Sequence, residues 1–311
     1  MLLLLQYTLI YASVLILVAL GGCFSEHSGV INLGLEGTMI IGALGGALTM
    51  NLMPNAPAPL MVIMVILISM ASGLVYSLLL AVASINFKAD QTLVGTAMNM
   101  LALAAATVIV KAINAAASSK PSATLTYVAQ KESFIVRMGN FDFNWFMPVT
   151  LILLIAAYIL LYKTKFGLRL MACGEHPQAA ASVGISVFRM RYAGVMISGI
   201  LGGLGGIVYI MSGVSEWKFD YGVAGFGFLA LAVMIFGQWK PHRIALSALL
   251  FGLFRALSQV HSSLNFIEAL NIPAELYNML PYIISLVVLA LTSKKSRAPK
   301  AEGIPYDKGM R

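Results

Sequence analysis

Long apolar runs alternate with short polar gaps along almost the whole chain. A helix needs about 20 apolar residues to cross a bilayer, because the hydrocarbon layer is about 30 Å thick and each residue rises about 1.5 Å. The pattern predicts nine spans, with eight or ten as alternative counts. They lie at 2–20, 30–50, 59–84, 92–110, 146–162, 190–212, 224–239, 243–260 and 277–293.

Composition supports this interpretation. Of 311 residues, 59% are apolar and only 10% are charged, and the mean hydropathy is +0.88. A water-soluble protein carries about 25% charged residues, so most of this surface faces lipid. We therefore expect an all-α, polytopic transmembrane helical bundle over residues 1–293.

The first run and the cysteines allow two alternatives to be weighed. The sequence Leu20-Gly21-Gly22-Cys23 resembles a lipoprotein cleavage site, which would make the first run a signal peptide. The lack of a positively charged start favours a retained first helix. Cys23 and Cys173 are the only cysteines, and their spacing supports neither a disulfide framework nor a metal site.

Lysine and arginine residues predict the orientation, because they concentrate in cytoplasmic loops. With the C-terminus in the cytoplasm, 14 of these residues lie inside and five lie outside. The inside set is Lys88, Lys163, Lys165, Arg169, Arg189, Arg191, Lys240, Arg243, Lys294, Lys295, Arg297, Lys300, Lys308 and Arg311. The outside set is Lys111, Lys120, Lys131, Arg137 and Lys218. This bias explains the net charge of +8 without a nucleic-acid partner.

Two segments between the predicted spans are large enough to carry a role, and a tail follows the last span. The 111–145 segment is an extracellular loop that either forms a cap for a partner or carries interfacial anchors such as Tyr127 and Trp145. The 163–191 segment is cytoplasmic and contains a short helix former between Pro177 and Gly184. The 294–311 segment has the composition of a disordered basic cytoplasmic tail.

Catalytic motifs are missing from the sequence. It contains no G-x-x-x-x-G-K-[ST] phosphate loop, no HExxH and no GxSxG. We therefore expect a protein that is not an enzyme, and any ATP hydrolysis that drives it must occur on a separate polypeptide.

A few polar residues lie at membrane depth, where each is costly and is a candidate for function. Asn32 and Glu36 are four residues apart in a glycine-rich span, and Asn99 lies in the fourth span. They either brace a kinked helix by bonding neighbouring backbone or line a polar translocation path. Arg255 is expected to extend towards the membrane surface. Glycines four residues apart, such as Gly199 and Gly203, predict close helix crossings.

Three stretches together resemble a known family. They are SGVINLGLEGTMIIGALGGAL (28–48), MACGEHPQAAASVGISVFRMRYAGVMISGILGGLGG (171–206) and GVAGFGFLALAVMIFGQWKP (222–241). The chain resembles permease subunits of bacterial ABC importers of the branched-chain amino acid, ribose and nucleoside group, and is most similar to nucleoside permeases. The resemblance extends from about residue 25 to residue 293.

The resemblance implies a heteromeric complex in the bacterial plasma membrane. Its other parts are a cytoplasmic ABC ATPase, a second related permease and an extracytoplasmic substrate-binding lipoprotein. It implies a small-molecule substrate. It implies no cofactor in this chain, since the partner ATPase uses the ATP. It also implies that the 163–191 loop contacts the ATPase through Gly174, Glu175, His176, Pro177, Ala179, Ala180 and Gly184. Relatives commonly carry Asn where this chain has His176.

Other functions remain open at this point. The same class of importer carrying a simple sugar such as ribose is one alternative to nucleosides. An ion-coupled secondary transporter with Glu36 or Asp90 as its coupling site is another, because carboxylates in membranes serve as proton relays. A purely structural membrane protein is the third.

Overall fold

The computed structural model describes residues 2–118, 122–126, 132–138, 141–211, 216–260, 274–292, 297–307 and 309. Helices account for most of this chain. They are α1 (Leu2–His27), α2 (Leu35–Leu52), α3 (Ala58–Ala81), α4 (Gln91–Ser118), α5 (Phe146–Lys163), α6 (Lys165–Glu175), α7 (Pro177–Ser182), α8 (Val187–Met211), α9 (Phe226–Phe236), α10 (Pro241–Val260) and α11 (Ala274–Thr292). A π-helical turn, Val82–Asn86, continues α3.

The predicted helical membrane bundle is confirmed. Within the described residues, seven helices are both long and apolar enough to cross a membrane: α1, α2, α3 with its π turn, α4, α5, α8 and α10. The ninth predicted span coincides with the 19-residue helix α11. The predicted span at 224–239 differs, because α9 has 11 residues and is about 16 Å long, roughly half the hydrocarbon thickness.

The predicted start of the second span is also different. Residues 28–34 form turns and irregular backbone, and the helix begins only at Leu35. Asn32 and Glu36 therefore do not share a helical face. Irregular backbone at membrane depth requires hydrogen-bond partners from the protein, because lipid offers none. Side chains supply several of these partners, as described below.

The centre of the bundle is formed by α1, α2 and α8, which are the most deeply buried of the long helices. Glycines allow these helices to approach closely. A Cβ added at Gly42 of α2 would overlap the backbone of Gly203 in α8, and one added at Gly206 would overlap the Met39 carbonyl. The expected close crossings at glycine pairs are confirmed, and they make this centre a backbone-to-backbone contact.

Short strands lie at one end of the bundle, three of them in the segment predicted as an outer loop and the fourth after α8. Strands β1 (Thr124–Thr126) and β4 (Glu216–Lys218) pair antiparallel, and β2 (Ile135–Met138) forms a hairpin with β3 (Phe141–Asn144). Lys111 lies 3.6 Å from Asp220 beside this sheet. The 111–145 segment therefore contains folded structure in its described parts, whereas Tyr127 lies outside the described residues.

Candidate translocation site

The half-length helix α9 begins against the Glu36 carboxylate. The Gly225 N–H donates to Oε1 at 2.8 Å and the Gly227 N–H donates to Oε2 at 2.6 Å. The Phe228 amide donates to the same carboxylate. The first amides of a helix have no intrahelical acceptor and form its positive end, so an anionic side chain stabilises this position. Glu36 thus satisfies the exposed start of a helix that ends inside the bundle.

The local sequence explains why α9 can begin there. Gly222 and Gly225 have φ values of +55° and +77°, and Ala224 has +51°. These left-handed conformations fold the chain into consecutive turns just before the helix, and glycine adopts them without strain. Gly227 lies so close to the Glu36 backbone that a Cβ there would overlap it.

Asn99 of α4 holds the irregular start of α2 from the other side. Its Oδ1 accepts from the Gly37 N–H at 2.8 Å, and its Nδ2 donates to the Leu33 carbonyl at 2.9 Å. Gln91, near the start of the same helix, accepts from the Ile31 N–H at 2.7 Å. The side chains of α4 therefore replace the hydrogen bonds that a continuous helix would have formed.

Asn32 has a separate and purely internal role. Its Oδ1 accepts from the Gly34 N–H at 3.1 Å, and its Nδ2 donates to the Ser198 hydroxyl at 2.9 Å. The side chain is 1% exposed. Of the three residues predicted for a translocation path, Asn32 is therefore the one that the fold places away from any open space.

Glu36 and Asn99 line a common groove of about 360 Å³. Its other walls are apolar, aromatic and hydroxylated, and comprise Ile40, Thr96, Met100, Leu103, Tyr221, Gly222 and Phe228. Tyr221 and Phe228 are 75% and 49% exposed, so both rings are accessible from the groove side. A concave, mainly apolar surface of this size with a few polar groups is typical of small-molecule sites.

Arg255 lies behind this groove. Its guanidinium is 5.6 Å from the centre of the Phe226 ring and 6.0 Å from that of Tyr11. A cation over aromatic rings is stabilised inside the protein. Arg255 is partly buried and packs beside the rings of α1 and α9, while its extension towards the membrane surface stays a prediction.

The 163–191 loop forms two helices at the opposite end from the strands. Helix α6 ends at Glu175, His176 follows in an extended conformation, and Pro177 starts α7 at the first helical position that suits proline. Gly184 has φ +83° just after α7, where a left-handed glycine ends a helix. Among the residues implied by the resemblance, Glu175, His176, Ala179 and Gly184 are exposed, whereas Gly174, Pro177 and Ala180 are buried.

Comparison with known proteins identifies the family. The model of the family described as "Branched-chain amino acid transport system / permease component" matches residues 4–289. This chain belongs to that permease family. No solved structure matches it.

Three relatives illustrate where the permease lies within the family. It is 42% identical to the guanosine ABC transporter permease protein NupQ of Bacillus subtilis, over 98% of this chain and 96% of NupQ. It is 38% identical to the nucleoside ABC transporter permease protein NupC of Lactococcus lactis, over 96% of this chain and 95% of NupC. It is 24% identical to NupB, a second nucleoside permease protein of the same L. lactis strain, over 78% of this chain and 68% of NupB.

The carboxylates considered for ion coupling are both engaged in the permease. Asp90 caps the start of α4, where its Oδ1 accepts from the amides of Thr92 and Leu93 at 2.8 and 3.0 Å. Glu36 accepts from the start of α9. Together with the family assignment, this geometry disfavours the secondary-transporter alternative.

Sequence reasoning missed part of the groove. Thr96, Tyr221 and Phe228 were not predicted, although all three line it. Thr96 lies three residues before Asn99 on α4, so helical spacing from Asn99 could have found it. Tyr221 and Phe228 carried no such signal, because their position depends on the turns at 222–225.

Proposed function

We propose that this permease forms the translocation path of an ABC importer for purine and pyrimidine nucleosides and has no ATPase site of its own. The observation that carries the proposal is the similarity to two nucleoside permease proteins over nearly the whole chain. The protein would lie in a bacterial plasma membrane with its C-terminus in the cytoplasm. A separate ATPase would bind to the 163–191 loop.

The groove suits the chemistry of a nucleoside. A nucleoside has a flat aromatic base and a ribose with several hydroxyl groups. The rings of Tyr221 and Phe228 offer surfaces for the base, because aromatic groups stack on one another. The Thr96 oxygen offers an acceptor for a ribose hydroxyl, since its own hydrogen donates within α4. Few strong contacts are present, which suits a path that must also release its solute.

The groove is formed by one chain only and is open on one side. We propose that a second, related permease closes it. In support, L. lactis contains two nucleoside permease proteins, NupC and NupB, and this chain is similar to both. A substrate-binding lipoprotein would deliver the nucleoside to the end that carries β1 to β4.

The 163–191 loop supplies an exposed surface for the ATPase. Val183 follows α7 and is 74% exposed, beside the exposed residues Gln178 and Ala179. An apolar side chain at the tip of a polar loop is an anchor that a groove on a partner can accept. Closure of the ATPase dimer would move this loop as a rigid body and change the access of the groove.

The proposal is tested with vesicles that contain this permease, its partner permease and the ATPase, together with the binding protein. We expect uptake of radiolabelled guanosine that requires ATP, is insensitive to ionophores and exceeds uptake of ribose. Uptake driven by an ion gradient without ATP would contradict the proposal. Preferential uptake of ribose would instead indicate an importer of simple sugars.

A variant of the loop tests the contact with the ATPase. Val183→Glu should prevent ATPase binding without disturbing the fold, because the side chain is exposed. Val183→Leu, which keeps an apolar side chain at the same position, is the matched control and should retain binding. Co-purification of the ATPase measures both. Normal binding to Val183→Glu would contradict a contact at this tip.

A further inference from the structure

A buried arginine lies at the start of α8. Arg191 is only 1% exposed, and no carboxylate pairs with it among the described residues. Its Nη2 donates to the Ile304 carbonyl at 2.9 Å, and its guanidinium lies 6.0 Å from the centre of the Tyr306 ring. A buried charge needs such partners, because its desolvation is costly. Residues that follow the last helix therefore supply the hydrogen-bond acceptor and the aromatic ring that stabilise the Arg191 guanidinium.

Residues 297–307, here called the strap, lie against the 163–191 loop. Tyr306 is 7% exposed and packs in a small apolar cluster with Cys173, Ala180 and Val187. Phe188 meets the Tyr306 ring edge-on at 5.6 Å. Ala180 and Pro177 are the buried residues of α7, and Tyr306 packs against Ala180 on the side of the helix opposite the exposed Ala179. Burial around Cys173 raises the pKa of its thiol to about 11, in keeping with an apolar cluster.

The strap also contacts α6, α1 and the loop before α4. The Ala301 N–H donates to the Gly174 carbonyl at 2.8 Å, at the end of α6. Gly174 in turn packs against the His27 carbonyl so closely that a Cβ would overlap it. At the other end of the strap, Lys88 and Asp307 form an ion pair at 2.8 Å. The strap thus joins the 163–191 loop to the ends of three membrane-spanning segments. The expectation of a disordered tail does not describe residues 297–307.

We propose that the strap holds α7 against α1 and α8, with Tyr306 and Arg191 as positioning residues, so that a displacement of α7 by the ATPase reaches the membrane helices. The inference rests on the proposed contact between the 163–191 loop and an ATPase. Without the strap, α7 would keep only its flanking turns at His176 and Gly184 and the packing of Ala180 against Cys173 and Val187. It would then follow the ATPase while α1 and α8 stayed in place.

The main test compares three variants in the complete transporter. Tyr306→Ala should lower the number of nucleosides transported per ATP by about 10-fold, as expected for a contact worth about 1.4 kcal/mol in coupling. ATPase binding and basal ATP hydrolysis should remain. Tyr306→Phe keeps the ring and should restore the ratio. Ile304→Ala removes a side chain that is 57% exposed and leaves its carbonyl in place, so it should match the unmodified protein.

The outcomes separate this inference from the proposed function. If the unmodified complex shows no ATP-dependent nucleoside uptake, the proposed function fails. If the unmodified complex does show this uptake, and Tyr306→Ala transports the same number of nucleosides per ATP, only the strap proposal fails. A fall in uptake that merely follows a fall in assembled complex, with the ratio unchanged, would reduce Tyr306 to a folding role and also overturn the proposal.

A cross-link covers the case in which Tyr306→Ala does not assemble. Lys88→Cys and Asp307→Cys, joined by a short bismaleimide, fix the strap where it lies; the native cysteines are both buried. A strap that acts as a permanent connection should leave transport per ATP unchanged when fixed. Loss of transport on cross-linking, with each single cysteine variant active, would show that the strap must detach and would overturn the proposal.

Discussion

Glu36 and Arg191 are charged side chains that this fold satisfies mainly with backbone groups. Glu36, at membrane depth, accepts amide hydrogens from the start of α9. Arg191, at the end that carries the 163–191 loop, donates to the Ile304 carbonyl of the strap. The backbone groups around Glu36 belong to a helix within the bundle, whereas those around Arg191 belong to a segment after the last helix.

The difference concerns how firmly each partner is held. The start of α9 is enclosed by α2, and it cannot leave without unfolding the groove. The strap is attached by a few contacts at the surface of the bundle. We therefore expect changes at Glu36 to disrupt the groove, and changes at Arg191 to release the strap while the bundle stays folded.

Glu36→Ala should have the largest effect. It leaves at least two amides at the start of α9 without an acceptor, at a cost of about 1–3 kcal/mol each, because lipid and apolar side chains cannot replace the carboxylate. We expect uptake to fall at least about 100-fold and the melting temperature of the purified complex to drop. Thr96→Ala, a change in the same groove that orphans no amide, should reduce uptake far less. Similar values for the two variants would contradict the role assigned to Glu36.

Arg191→Met should have the second-largest effect. Methionine fills the apolar space but gives the Ile304 carbonyl no donor, so the strap should detach from α8 while the bundle remains. For a spin label at Ile304→Cys, a largely exposed position, the ratio of mobile to immobile label should rise about 10-fold, which corresponds to about 1.4 kcal/mol. Arg189→Met is the matched control, because Arg189 is exposed two residues away. An immobile label in Arg191→Met would show that other contacts suffice.

The strap should also respond to pH through Glu302. Partial burial raises the pKa of this carboxyl from 4.5 to about 7, and the Glu26 carboxyl lies near it. Since the docked form binds the proton more tightly, docking should be strongest below pH 4.5 and should weaken as pH rises to about 7. The mobility of the label at position 304 should rise over this window and stay level in Glu302→Gln. If the mobility of the label does not change with pH while Glu302 is present, this assignment is contradicted.

The smallest effect is expected at the Lys88–Asp307 pair. Both side chains are 45% exposed, so solvent screens the pair and it contributes little to the docking of the strap. The pair lowers the pKa of Asp307, but solvent screens the interaction. Asp307→Asn should therefore change label mobility less than about 3-fold and leave transport unchanged. An effect as large as that of Arg191→Met would mean that the pair, not the buried arginine, holds the strap.

The sequence predicted the bundle well because each long apolar run can satisfy its own backbone as a helix. The runs at 59–84 and 190–212 correspond closely to α3 with its π turn and to α8. The crossings at Gly42 and Gly203 also followed from small residues at helical spacing. These features depend on local pattern, which a single sequence contains.

The groove and the strap could not be predicted in the same way. The break at 28–34 depends on Asn99 and Gln91, about 60 residues later in the chain, which take over its hydrogen bonds. The run at 224–239 is apolar throughout, so its pattern does not show that its first residues are turns. The strap has a polar, basic composition, and the buried Tyr306 is a single aromatic residue without periodicity.

The half-length of α9 has an electrostatic consequence for what can pass. A helix that ends part-way through a membrane leaves about half a positive elementary charge there, which would attract and retain anions. The Glu36 carboxylate faces this positive end from within the protein and outweighs it. An anion therefore gains nothing by entering, whereas a neutral solute such as a nucleoside does not depend on this balance of charge.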